Sequence, residues 1–162
     1  MLELDQENSG LRILDVSRCG PTSAALPAPD IEASEYRELE SAFRQRGGLV
    51  ECETLTELLR RRMDQPISRL SRWIVDRDVL SLKWSSRMMV PLFQFDRFSL
   101  LPHPAVGEVI RELAPVLGDW SLALWLVRPH ALLGCLAPVV AFQHHAPAVV
   151  DAARAQRYLV CG

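Results

Sequence analysis

From Ser121 to Phe142 the chain is almost unbroken apolar sequence, and only Arg128, Pro129 and His130 interrupt it. A run of this kind must be buried, in lipid or in a protein core. Spanning a bilayer takes about 20 consecutive apolar residues, and neither flank of the interruption is near that length. An arginine at the centre of a span adds a cost of roughly 2.5–3.5 kcal/mol. The segment therefore predicts core helices joined by a turn, with no membrane partner. Asp119 is placed to cap a helix over 120–127 that turns Trp120, Ala123, Leu124 and Val127 inward. Pro129, Gly134 and Pro138 then punctuate the turn. Trp125 falls out of phase with the inward face, which marks it for a second surface.

The same reading extends along the chain. Residues 1–32 mix acids with Gly10, Gly20, Pro21, Pro27 and Pro29 and show no sustained apolar period, the pattern of a flexible acidic tail. Tyr36, Leu39 and Phe43 predict a helix over 34–45, ended by Gly47 and Gly48. Thr54 and Glu57 have the form of a capping box, which starts a second helix running to about Met63. After Asp64 and Gln65, Pro66 suits a first helical turn, and Ile67, Leu70, Trp73 and Ile74 fall on one face of a third helix to about Arg77. Two short runs, 80–84 and 88–95, suit the strands of a hairpin, with Pro91 confining the second to an edge or a short strand. Pro102 and Pro104 introduce an amphipathic helix carrying Val106, Val109, Ile110, Leu113 and Leu117, and a last helix runs from about Pro147 to about Tyr158. The expected fold is mainly α. A helix-turn-helix-like unit with a small β-hairpin wing occupies 33–100, and an all-helical domain occupies 101–162.

Charge and chemistry narrow the function classes. Apolar residues at 49% and charged residues at 23% describe an ordinary globular chain, so wholesale disorder is excluded. The formal charge of -2 conceals an uneven distribution: residues 1–40 hold nine acids and three bases, 41–100 hold seven acids and eleven bases, and the rest balances at four each. Only the middle segment attracts phosphate. Cys19, Cys52, Cys135 and Cys161 lie far apart with no C-x-x-C pair and no signal peptide ahead of them, which predicts reduced thiols in a cytoplasm. There is no G-x-S-x-G, no phosphate-cradling glycine loop and no H-E-x-x-H. His144 and His145 are adjacent and point in different directions, and with Cys135 they lack the ligand spacing of a zinc site. No catalytic residue, cofactor or metal is expected.

The two helices over 54–77, joined by a short turn and followed by a hairpin, have the outline of a helix-turn-helix with a wing. In such a unit the second helix enters the major groove and basic residues hold phosphate. Arg69, Arg72 and Arg77 lie on or near that helix, and Lys83 and Arg87 on the wing. The competing reading is a solvated basic face, since these bases alternate with Glu57, Asp64, Asp76 and Asp78.

From Trp84 onward the order of residues resembles the toxin-binding domain of Xre/MbcA/ParS-like antitoxins. The resemblance rests on Pro91-Leu92-Phe93-Gln94-Phe95-Asp96, on Gly118-Asp119-Trp120, on the stretch from Trp125 to Pro138, and on Ala152-Ala153-Arg154. The family pattern there is a Trp-Leu pair, a Pro-Asn two residues later, a Leu-Gly-Gly, and a proline three residues on. This chain keeps the Trp, the Leu, the first Gly and both prolines, but has His130 for the Asn and Cys135 for the second Gly. A second glycine permits φ above zero, so the turn is expected to be remodelled. The resemblance implies an all-helical C-terminal domain, homodimerisation, and neutralisation of a RES-type toxin that consumes NAD. It implies inhibition by occlusion, with Trp125, Arg128, Pro129, His130, Leu133, Gly134 and Pro138 near the contact, and Arg154, Arg157 and Tyr158 of the last helix covering the toxin's cleft. The NAD belongs to the partner.

The leading expectation is therefore an antitoxin-like binding protein that neutralises a partner toxin, with repression of its own operon, as a dimer on double-stranded DNA, as a secondary expectation. Two readings stand beside it: a stand-alone DNA-binding transcriptional regulator, and an adaptor that recognises a protein other than a toxin.

Overall fold

In this computed structural model the described residues are 31–162. The expected acidic tail lies outside them except for its last two positions, which already belong to a helix. That helix, α1 (Ile31–Arg44), ends where its glycines predict: Gly47 and Gly48 take φ of +97° and +82°, and the Gly48 N–H donates back to the Phe43 carbonyl at 2.9 Å. A Cβ on Gly47 would meet that of Leu92 at 2.8 Å, so the turn needs glycine for space as well as for dihedral.

Strand β1 (Leu49–Glu51) follows, and α2 (Cys52–Arg60) starts directly after it. The capping box is not formed. Glu51 is the N-cap, no side chain caps the helix, and Thr54 sits inside the first turn. The hydroxyl that does bond locally is that of Thr56, which donates to the Cys52 carbonyl at 2.7 Å. Helix α3 (Pro66–Val75) has its proline in the first turn as expected, entered through Gln65 at φ +52°.

The hairpin is tighter than its sequence suggested. Strands β2 (Leu82–Trp84) and β3 (Arg87–Pro91) are joined by Ser85 and Ser86 alone, at φ of +45° and +69°, a turn whose twist matches the strands it connects. β3 is the central strand, with the order β1-β3-β2 and both pairs antiparallel, so of the two alternatives that Pro91 allowed it is the short strand, not the edge. Pro91 is tolerated there because it is the last residue, opposite Leu49, where one missing N–H interrupts nothing further along.

Beyond a 3-10 turn at Leu92–Gln94 come α4 (Pro104–Leu113) and α5 (Asp119–Val127). Gly118, not Asp119, is the N-cap of α5, and the Asp119 carboxylate accepts from Arg77 at 2.7 Å instead. Ala123, Leu124 and Val127 are buried as expected, but so are Leu122 and Leu126, while Trp120 is half-buried. A helix apolar on all sides is a core helix, and neighbours surround this one.

The final helix, α6 (Pro138–Cys161), is twice the expected length because it has two halves. His145, at φ -155° and ψ 74°, breaks it just ahead of Pro147, and its Nδ1 accepts the Ala148 N–H at 3.1 Å, capping the second half. The start expected near Pro147 is that of the second half.

The larger core joins Leu39 and Phe43 of α1 and Leu82 and Met89 of the hairpin to the buried faces of α4, α5 and α6. A smaller one, with Leu55, Leu59, Leu70, Val79, Val90 and Phe95, lies under α2 and α3. Residues 32–162 form one compact unit, so the segments 33–100 and 101–162 share a core. Among the described residues no helix is long and apolar enough to cross a membrane.

Candidate functional site

Helix α5 stops at Val127 because Arg128 turns to extended backbone and the ring of Pro129 cannot continue a helix. The next residues close on themselves. The His130 N–H donates to the Leu136 carbonyl at 3.0 Å, while the His130 carbonyl accepts from Leu133 and Cys135 at 3.0 and 3.1 Å. Between these bonds runs a 3-10 turn, Ala131–Leu133, followed by Gly134 and Cys135 at φ of +62° and +63°. Cys135 thus adopts left-handed backbone without being glycine. Leu133 is buried, whereas Pro129, Leu132 and Leu136 are exposed.

Trp125 and His130 meet inside this turn, edge to face, with ring centroids 5.4 Å apart. The indole N–H of Trp125 and Nδ1 of His130 are both buried, and neither has a hydrogen-bond partner among the described residues. Buried polar atoms of this kind ordinarily find partners, so the pair marks a place where the fold leaves polar capacity unused. Pro138 is buried at the start of α6 and closes the segment.

The arginines expected at the partner surface are less free than their sequence suggested. Arg128 donates through Nε and Nη2 to the two carboxylate oxygens of Glu38, both at 2.9 Å, and lies 3.6 Å from Glu35. These bonds hold the Glu38 carboxyl below its ordinary value and raise the Arg128 guanidinium. Arg154 is ringed by Asp151, Glu108 and Glu112, and Arg157 donates to Glu112 at 3.0 Å, so both arginines tie α6 to α4. Tyr158 is 78% exposed, and Leu159 beside it is 75% exposed.

The five bases expected at DNA divide in the same way. Arg77 pairs with Asp119 and Arg87 with Glu51 at 2.5 Å. Arg69 and Arg72 on α3 and Lys83 on β2 are exposed and form no ion pair among the described residues. Ile67, at the start of α3, is 64% exposed.

Sequence alone missed the residues that hold this arrangement. Gln94 is fully buried; its Oε1 accepts the Leu80 N–H at 2.6 Å and its Nε2 donates to the carbonyls of Leu80 and Pro91, each at 3.0 Å. A side-chain amide here substitutes for a missing strand neighbour. Tyr36, Trp84 and Trp120 stack in series, at centroid distances of 4.2 and 5.9 Å, and the Trp120 indole donates to Glu35 at 2.6 Å. A glutamine inside a Phe-Gln-Phe run and acids at 35 and 38 were the only signals, and neither names its distant partner.

Cys52 occupies the first position of α2, where a helix terminus favours thiolate, yet burial prevails and pushes its thiol up. Among the described residues no three of His, Cys, Asp and Glu gather closely enough to hold a metal ion. No family model, no curated protein and no solved structure matches this chain.

Proposed function

We propose that this chain is an antitoxin-like binding protein that acts in the cytoplasm and neutralises a RES-type, NAD-consuming partner toxin by covering its cleft. The reading is carried by one observation: Gly134 and Cys135 both take left-handed backbone, at the two positions where the motif it resembles has paired glycines. The exposed leucines of the turn and, on α6, the exposed Tyr158 and Leu159 supply apolar contact area. Inhibition of this kind is steric and requires no turnover.

The product of the adjacent gene provides the test. Co-expression should relieve that product's toxicity and yield a stable complex. The double variant Tyr158→Ala, Leu159→Ala should lose the complex while keeping its thermal midpoint, because both side chains lie outside the core. A neighbour without toxicity, or a toxic neighbour that is neither bound nor relieved, overturns the reading.

A second activity, repression of its own operon as a homodimer, is supported by the element order α1-β1-α2-α3-β2-β3 with α3 presenting Arg69 and Arg72 unpaired. It corresponds to a helix-turn-helix with a wing, α3 entering the major groove and Lys83 reaching phosphate. If the two arginines bind phosphate, Arg69→Ala with Arg72→Ala should lower the slope of log affinity against log salt by roughly 2, measured on a duplex from its own promoter. An unchanged slope assigns them no phosphate contact.

A further inference from the structure

A groove of about 680 Å³ opens between the end of α1, the 92–105 segment and the first half of α6, with Leu58 of α2 joining its wall. None of the residues proposed for toxin or DNA contact lines it. Its volume falls in the range of small-molecule sites, roughly 300–1,000 Å³.

The wall is apolar and fixed in advance. Phe93 stands between Phe43 and Phe142, at centroid distances of 5.3 and 6.1 Å, and buried Val106 and Val139 complete the lining. The polar lining is cationic. Arg46 and Arg97 both border the groove, and neither side chain has an ion pair or hydrogen bond among the described residues. Asp96 is the one carboxylate there among the described residues, and its Oδ1 already accepts from the Phe98 N–H, the Ser99 N–H and the Ser99 hydroxyl at 3.0, 2.8 and 2.9 Å. Those bonds hold its carboxyl low, so it remains charged at neutral pH but is turned to its own loop. Among the described lining residues, two guanidinium groups against one carboxylate leave a single net positive charge from these side chains. That balance suits a monoanion better than a multiply charged phosphate. A planar fork of donors matches a carboxylate head.

We propose that this groove binds a small amphipathic monocarboxylate, with its apolar body against Phe93 and Phe142 and its head at the Arg46 and Arg97 rim. Occupancy is independent of the toxin reading, because the two sites share no residue.

The test is isothermal titration calorimetry of the whole chain with decanoate, kept below its micelle concentration, and with 2-naphthoate. One carboxylate or both should bind saturably, one per chain, and more tightly than decanamide or 2-naphthamide. The double variant Arg46→Gln, Arg97→Gln should weaken binding by about tenfold or more. Arg97→Gln alone changes only an exposed side chain and should weaken it by about threefold, which guards against loss of fold in the double variant. Arg69→Gln with Arg72→Gln should bind like the unaltered chain. The proposal is overturned if neither carboxylate saturates, if the neutral amides bind equally well, or if the α3 control weakens binding as much as the rim variants.

Discussion

Cys135 holds a backbone conformation that costs a residue with a Cβ about 1 kcal/mol or more relative to glycine. Its side chain is exposed, so little packing offsets that cost. Cys135→Gly should therefore stabilise the fold by about 0.5–1 kcal/mol after the greater flexibility of glycine in the unfolded chain is counted. A urea titration checks it, and an unchanged or lower midpoint would show that the thiol has a structural role. Gln94 is the opposite case. Gln94→Leu keeps the volume but strands the Leu80 N–H and the carbonyls of Leu80 and Pro91 in the interior, at about 1–3 kcal/mol for each group left unpaired. A loss of about 3–5 kcal/mol in the same titration is expected.

Helix α1 is held at two successive turns of one face, through Trp120 to Glu35 and through Arg128 to Glu38. Because Arg128 depresses the Glu38 carboxyl, the folded state holds that proton less readily than the unfolded chain does. Stability from this pair is therefore present above the ordinary value near 4.5 and is lost as pH falls through the lowered one. Glu38→Gln should destabilise the protein at pH 6, by less than about 1 kcal/mol because the pair is partly solvated, and the difference should vanish in acid. Thermal melts of both proteins across pH 3–6 show whether it does. The helices themselves were legible where apolar spacing was long and glycine or proline marked an end, as at Gly47 and Pro66. β1 was not, because three residues are too few to show alternation. The first half of α6 was missed because Pro138 reads equally as a break and as a first helical turn, and the cap that restarts the helix is a histidine. For the site, the phase of Trp125 set it apart from the inward face of its helix, yet its ring packs on the larger core beside His130. The engagement of Arg128 did not show, since its partners lie 90 residues away in sequence.

The larger core draws on α1 and the hairpin as well as on the C-terminal helices, which bears on what can stand alone. A fragment of residues 101–162 would keep α4, α5 and α6 but expose the apolar surface that Leu39, Phe43, Leu82 and Met89 cover. It should give no cooperative thermal transition by circular dichroism, whereas a fragment beginning at residue 31 should melt in one step. A sharp melt from the short fragment would mean that the C-terminal helices form a domain by themselves. The same long-range staple sets a clock on biosynthesis. A ribosome adding about 5–20 residues per second takes about 5–18 s to make the 90 residues between Glu38 and Arg128. Throughout that interval Glu38 waits for the arginine that will hold it, and α1 has only the hairpin side of its core to dock on, so a chaperone or a protease has those seconds in which to find it.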